Sequence, residues 1–200
     1  MNLIKRILRA VMPVSDPPSA PAPVEPGKVV WGDNYAIEVR IREHLGLGDD
    51  VPLGPAEFAQ VKSLAFHGFE LDDAGAALLA RLGLTALETL SLSGSRVGDA
   101  GVAALAARDA GLQALRKLDL RGSQAGDAGV AALATKDTAL AALSELFLSG
   151  TRVGDAGLAA LAARDSGLKA LRSLHLHGTQ VGDAGVAALA AKDTALRALS

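Results

Sequence analysis

Hydrophobic and polar positions recur along most of this chain with one fixed period. The order Leu87-Glu-Thr-Leu90-Ser-Leu92-Ser-Gly94-Ser-Arg-Val97 is followed by Gly98-Asp-Ala-Gly101 and then by an Ala- and Leu-rich stretch. The same order restarts at Leu115, Leu143 and Leu171, an interval of 28 residues. The phrase Gly-Asp-Ala-Gly returns with it at Gly98, Gly126, Gly154 and Gly182. A weaker copy, Asp72-Asp73-Ala74-Gly75, belongs to a first unit anchored at Val61 and two residues shorter, and a sixth unit begins at Leu199. Self-similarity at such a period predicts a solenoid, in which each unit buries its apolar face only against its neighbours.

Two periodicities alternate inside a unit. Leu90 and Leu92 are two apart, so a strand puts both on one face and leaves Thr89, Ser91 and Ser93 on the other. Gly94 then lets the chain turn. Asp99 stands at the start of a helix whose buried stripe is Val102, Leu105 and Ala106. An aspartate there accepts a hydrogen bond from an otherwise unpaired backbone N–H, worth about 1 kcal/mol against Ala, so each repeated aspartate is expected to cap the helix of its own unit. Leu112 packs inward as the chain returns to Leu115. Like strands stack in parallel about 4.8 Å apart, and helices are wider than strands, so the stack curves with the helices outside. The expected fold is an α/β solenoid, a horseshoe with parallel β-strands on the concave face and α-helices on the convex face.

The pattern Leu-x-x-Leu-x-Leu-x-Gly-Ser/Thr-x-Val-Gly-Asp-Ala-Gly resembles a leucine-rich repeat. The 28-residue length resembles the ribonuclease-inhibitor-like subclass, and the Gly-Thr-x-Val-Gly-Asp-Ala-Gly wording resembles repeats of bacterial proteins. The resemblance covers about residues 35–200 and implies a non-enzymatic scaffold that binds a protein partner. One position departs from it. Where the family usually has Asn after the strand, this chain has Phe69, Ser95, Ser123, Thr151 and Thr179. A hydroxyl bonds backbone with fewer groups than an amide does, which predicts a weaker ladder.

Ahead of the repeats the composition shifts twice. Residues 1–12 place Leu3, Ile4, Ile7, Leu8 and Val11 at helical spacing with Lys5, Arg6 and Arg9 elsewhere on the wheel, a short basic amphipathic segment with weak affinity for a membrane surface. Residues 13–27 hold six of the eight prolines and read as an extended linker. Residues 28–60 carry the single Trp and Tyr, a helix from Ile37 to Leu45 stopped by Gly46, and a short helix opening at Pro55. This segment is expected to cap the first layer, and residues 61–200 to form five units and the start of a sixth without a C-terminal cap. Such an end would leave Leu174, Leu176, Val186, Leu189 and Leu196 without a successor. It calls for a longer natural chain or for self-association.

Bulk properties narrow the function. Half the residues are hydrophobic but aromatics are 3%, which suits thin stacked layers. Net charge is −2 with both signs interspersed, so the basic face needed for nucleic acid is missing. Without cysteine, disulfides and thiolate metal sites are excluded. No apolar run is long enough to span a membrane. A cytoplasmic location is the expectation, with secretion and peripheral membrane attachment left open.

Differences between units point to a surface. Residues 92–144 and 148–200 agree at about four positions in five, as tandem copying produces. Several of the differences fall on outward strand positions: Lys117, Asp119 and Arg121 stand against Ser173, His175 and His177, and just ahead of these stretches Ser91 stands against Phe147. The candidate partner-binding residues are therefore Lys117, Asp119, Arg121, Glu145, Phe147, His175 and His177, with Phe147 as the aromatic anchor. His175 and His177 project together, yet zinc needs a third protein ligand, and Asp119 is two strands away at about 9–10 Å. No cofactor, metal site or catalytic set is expected, since Gly-Asp-Ala-Gly has neither phosphate-loop nor calcium-loop spacing. The alternative reading is a regulatory or targeting segment of a larger, possibly enzymatic, polypeptide.

Overall fold

The computed structural model describes Trp31 and residues 34–191. The amphipathic segment 1–12, the linker 13–27 and the start of the sixth unit lie outside the described residues. Among the described residues two helices come first, α1 (Tyr35–Leu45) and α2 (Pro55–Phe58). Five units then follow as β1 (Ser63–Ala65), α3 (Asp73–Arg81), β2 (Thr89–Ser91), α4 (Asp99–Ala106), β3 (Lys117–Asp119), α5 (Asp127–Leu133), β4 (Glu145–Phe147), α6 (Asp155–Ala162), β5 (Ser173–His175) and α7 (Asp183–Ala190).

The strands form one parallel sheet in the order β1-β2-β3-β4-β5. Its register places Leu64, Leu90, Leu118, Leu146 and Leu174 in a single row. Behind that row each unit adds the same layer. In the second unit Leu90, Leu92, Val97, Val102, Leu105, Leu112 and Leu115 are all fully buried, as are their third-unit counterparts Leu118, Leu120, Ala125, Val130, Leu133, Leu140 and Leu143. The expected alternation is thus realised, apolar side chains inward and Thr89, Ser91 and Ser93 outward. After each strand the chain leaves the sheet at Gly94, Gly122, Gly150 and Gly178, with φ of 69, 65, 71 and 68°. That left-handed conformation strains any residue with a Cβ, which explains the invariance of this glycine across the units.

α1 and α2 close the first layer. Ile37, Ile41 and Phe58 are buried, and Trp31 meets Phe58 edge to face at a centroid distance of 6.3 Å. The Gly46 stop has φ 66°, and its N–H and that of Leu47 bond the carbonyls of Glu43 and Arg42.

One expectation is corrected. The repeated aspartates do not cap their own helices; each caps the helix of the next unit. Asp99 Oδ1 accepts the N–H groups of Gly126 and Gly129 at 2.7 and 2.9 Å. Asp73 does the same for Gly98 and Gly101, Asp127 for Gly154 and Gly157, and Asp155 for Gly182 and Gly185. Stacking sets one unit's first-turn carboxylate against the unpaired N–H groups of the following helix, where charge and dipole also agree. The second glycine of the phrase follows from this. A Cβ at Gly129 would stand 2.7 Å from Asp99 Oδ1, and one at Gly101 would stand 2.6 Å from Asp73 Oδ1. The aberrant Asp72-Asp73 of the first unit is explained too. Among the described residues no earlier aspartate serves α3, and its own Asp72 caps it by accepting from Gly75 N–H.

The far helix ends are served in the same way, with Ala80, Ala106 and Ala134 carbonyls accepting N–H from Gly111, Ala139 and Gly167 of the next unit. The hydroxyls that stand in for Asn bond backbone within their own unit. Thr151 Oγ1 donates to Leu148 O at 2.6 Å, Thr179 Oγ1 donates to Leu176 O at 2.7 Å, and Ser95 Oγ accepts from Val97 N–H at 3.3 Å. The ladder from unit to unit is carried by backbone and aspartate.

Candidate functional site

Strand register turns the outward residues into three rows across the sheet. Lys117, Glu145 and Ser173 form one, and Asp119, Phe147 and His175 the next. Arg121, Ser149 and His177 form the third, aligned by Gly122 N–H bonding Ser149 O and Gly150 N–H bonding His177 O. All seven sequence-predicted residues therefore lie on adjacent parts of one face, on β3, β4 and β5 or just beyond their ends.

Phe147 is the centre of this cluster. The His175 ring stacks on it at a centroid distance of 4.4 Å and an interplanar angle of 8°. From the β3 side, Lys117 Nζ stands 4.9 Å and the Arg121 guanidinium carbon 5.5 Å from the ring centre. Attraction between cation and ring quadrupole contributes about 0.5–1 kcal/mol at exposed sites. Lys117 also pairs with Glu145 at 3.5 Å, and Ser173 Oγ lies 3.1 Å from His175 Nε2. His177 is exposed at the end of its row.

Asp119 and Arg121 behave as a unit. The Asp119 carboxylate is buried and receives Arg121 backbone N–H at 3.0 Å, Nε at 2.9 Å and an NH2 group at 2.6 Å. Burial pushes its carboxyl upward, but the Arg121 guanidinium and N–H outweigh burial and hold it below the ordinary carboxylate value. The Arg121 side chain is 54% exposed. Asp119 thus orients an accessible guanidinium and offers little charge of its own to a partner.

The other half of the face is low. Ala65, Thr89, Ser91 and Ser93 are small, and beside them a cavity of about 350 Å³ is lined by Arg40, Glu43, His44, Ser63, Ala65 and His67. In the fold His44 Nε2 accepts Lys62 N–H at 3.2 Å, while Arg40 is held by Glu43 and Glu70. The spacing between α1 and β1 carried no signal for this hollow.

Four stretches, residues 83–106, 109–134, 142–162 and 168–190, match the leucine-rich repeat family. These are leucine-rich repeats. The fold is also similar to that of an internalin from Listeria monocytogenes, at 22% identity and a TM-score of 0.52, over 76% of this chain and 46% of that one. A secreted internalin-like protein of the same species matches at 14% identity and a TM-score of 0.52, over 80% of this chain and 61% of that one. The chain spans about half to three fifths of these proteins' lengths. No curated protein matches it in sequence.

Among the described residues there is no group of three or more His, Cys, Asp or Glu that could hold a metal ion. Among the described residues no helix is long and apolar enough to cross a membrane.

Proposed function

We propose that this leucine-rich repeat chain is a non-enzymatic recognition scaffold that binds a protein partner on its concave strand face, through Lys117, Arg121, Glu145, Phe147, His175 and His177, with Asp119 positioning Arg121. The observation that carries the reading is the ring and cation cluster around Phe147. It is built from positions that differ between otherwise near-identical repeats, on strands whose buried leucines Leu90, Leu118 and Leu146 do not vary. Aromatic and arginine side chains dominate binding energy at protein interfaces, above all when they are held in place beforehand. Here the Phe147 ring is backed by His175, and the Arg121 guanidinium is held by a buried carboxylate. The low Thr89-Ser91-Ser93 floor beside the cluster leaves room for a protruding segment of the partner.

The test compares proteins retained by the immobilised full chain with those retained by a Phe147→Ala, Arg121→Ala variant and by Arg108→Glu on the helical side. The reading expects a partner held by wild type and by Arg108→Glu and lost from the strand-face variant. Equal retention by all three overturns it.

A further inference from the structure

The residues two places beyond each strand form a row without an acid. Gly68 N–H bonds Ser93 O, Gly94 N–H bonds Arg121 O, Gly122 N–H bonds Ser149 O and Gly150 N–H bonds His177 O. These bonds align His67, Ser93, Arg121, Ser149 and His177 across the units, about 4.8 Å apart and about 19 Å from end to end. Each of the five side chains carries a hydrogen-bond donor. The two rows beside it contain Glu145 and Asp119. His67, Arg121 and His177 are exposed, and Ser93 and Ser149 are half-buried. Two acids lie close to the row, and both are engaged. Glu70 takes the Arg40 guanidinium and the His67 backbone N–H. Asp119 takes Arg121 side-on, through Nε at 2.9 Å and Nη2 at 2.6 Å. Among the described residues Arg121 Nη1 has no partner, so the end-on edge of the guanidinium is open.

We propose that this row receives an extended protein segment with a single Asp or Glu carboxylate, which pairs with the open edge of Arg121 while an apolar neighbour in the segment rests on Phe147. The proposal rests on the strand-face reading and adds the chemistry of the partner. A planar guanidinium matches a carboxylate with two parallel N–H···O bonds. Asp119 uses one edge and fixes the direction of the other, so little ordering remains for a second carboxylate to bring about. The Phe147 ring centre lies 5.5 Å from the guanidinium carbon. That is near the spacing of alternate side chains on an extended chain, about 6.6 Å, so the acid and the apolar residue stand within two places of each other. Ser93 and Ser149 flank Arg121 and offer hydroxyl donors to the backbone carbonyls of the segment. A polyanion fits less well. Arg121 and Asp119 together carry no net charge, and Lys117 is paired with Glu145 at 3.5 Å. Recognition therefore depends on one contact fork and not on a field that would gather a phosphate or sulfate chain.

The test selects binders to the immobilised full chain from random linear peptides displayed on phage. The enriched peptides should share an Asp or Glu within two places of an apolar residue. One of them is then synthesised with its acid and with the corresponding amide, and both are titrated calorimetrically. On the unaltered protein the amide form should bind at least about tenfold more weakly, the loss of a charge-assisted pair. The same loss should appear when the acidic form meets a double variant, Asp119→Asn with Arg121→Gln, which leaves no buried carboxylate unpartnered. The amide form should not distinguish the two proteins. A selection that enriches no acidic peptides overturns the proposal, as does equal binding of the two forms to the unaltered protein. Displacement of the acidic peptide by heparin at equal concentration also overturns it, because the row would then be a polyanion site. The outcomes separate this proposal from the strand-face reading beneath it. Peptides lost from Phe147→Ala but indifferent to the acid-to-amide change overturn the carboxylate alone. Peptides bound equally by wild type and by Phe147→Ala, Arg121→Ala overturn both.

Discussion

Removing one aspartate from the middle of the array tests the junctions most sharply. In Asp127→Ala, the N–H groups of Gly154 and Gly157 lose the oxygen that accepts them at 2.7 and 2.9 Å. A lost helix cap costs about 0.5–2 kcal/mol, and hydrogen bonds to a charged group contribute about 1.5–3 kcal/mol each. Two bonds sharing one oxygen in a half-buried slot give an expected loss of about 2–4 kcal/mol. Gly157→Ala should also destabilise, because its Cβ would stand 2.7 Å from Asp127 Oδ1 and 3.2 Å from both Asp127 Cα and Val153 Cγ1. Crowding of this kind costs about 1–3 kcal/mol, set against the roughly 1 kcal/mol that Ala gains over Gly inside a helix. With the carboxylate gone the closest obstacle is gone as well. The double variant should therefore be more stable than the sum of the single losses implies, by about 1–2 kcal/mol. Urea unfolding with a common slope measures all four corners of this cycle. Additivity within about 0.5 kcal/mol would refute the claim that glycine is kept there to admit the neighbouring aspartate.

Three further outcomes follow from the same geometry. Asp72→Ala should cost about 1 kcal/mol and raise hydrogen exchange at the start of α3, because that helix relies on its own cap. The stability difference between wild type and Asp119→Asn should be full above the ordinary carboxylate value of about 4 and should shrink as pH falls through the lower folded value, since the folded carboxyl is depressed. A difference that grows on acidification in urea titrations would contradict the Arg121 contact. Purified protein should hold no stoichiometric zinc by elemental analysis, and a one-to-one signal lost in His175→Ala would contradict the ring-stacking role given to His175.

The repeat, its strand and helix halves and the outward face were legible because each rests on local spacing. Leu90 with Leu92, Gly94, and Val102 with Leu105 speak within a few residues. The aspartate junctions were not legible, since Asp99 and Gly129 meet only after the units have stacked. An aspartate at a helix start reads by local rules as a cap for that helix. The clue lay in the exception, because only the first unit places Asp72 where later units have Gly98, Gly126, Gly154 and Gly182. On the strand face, spacing put Phe147 and His175 on neighbouring strands but carried no information about rotamers. It therefore missed their stack, the folding of Arg121 back onto Asp119, and the burial that turns Asp119 from a binding charge into a support. The hollow at His44 and His67 depends on how α1 crosses the edge of β1, which no local pattern encodes.

Recognition through the strand face is tested most directly by hydrogen exchange on the full chain with and without a protein partner bound. The account predicts slowed exchange across residues 117–121, 145–149 and 173–177, with α4, α5 and α6 unchanged on their outer sides. Protection confined to those helices, with the strand segments exchanging as in the free protein, would contradict it.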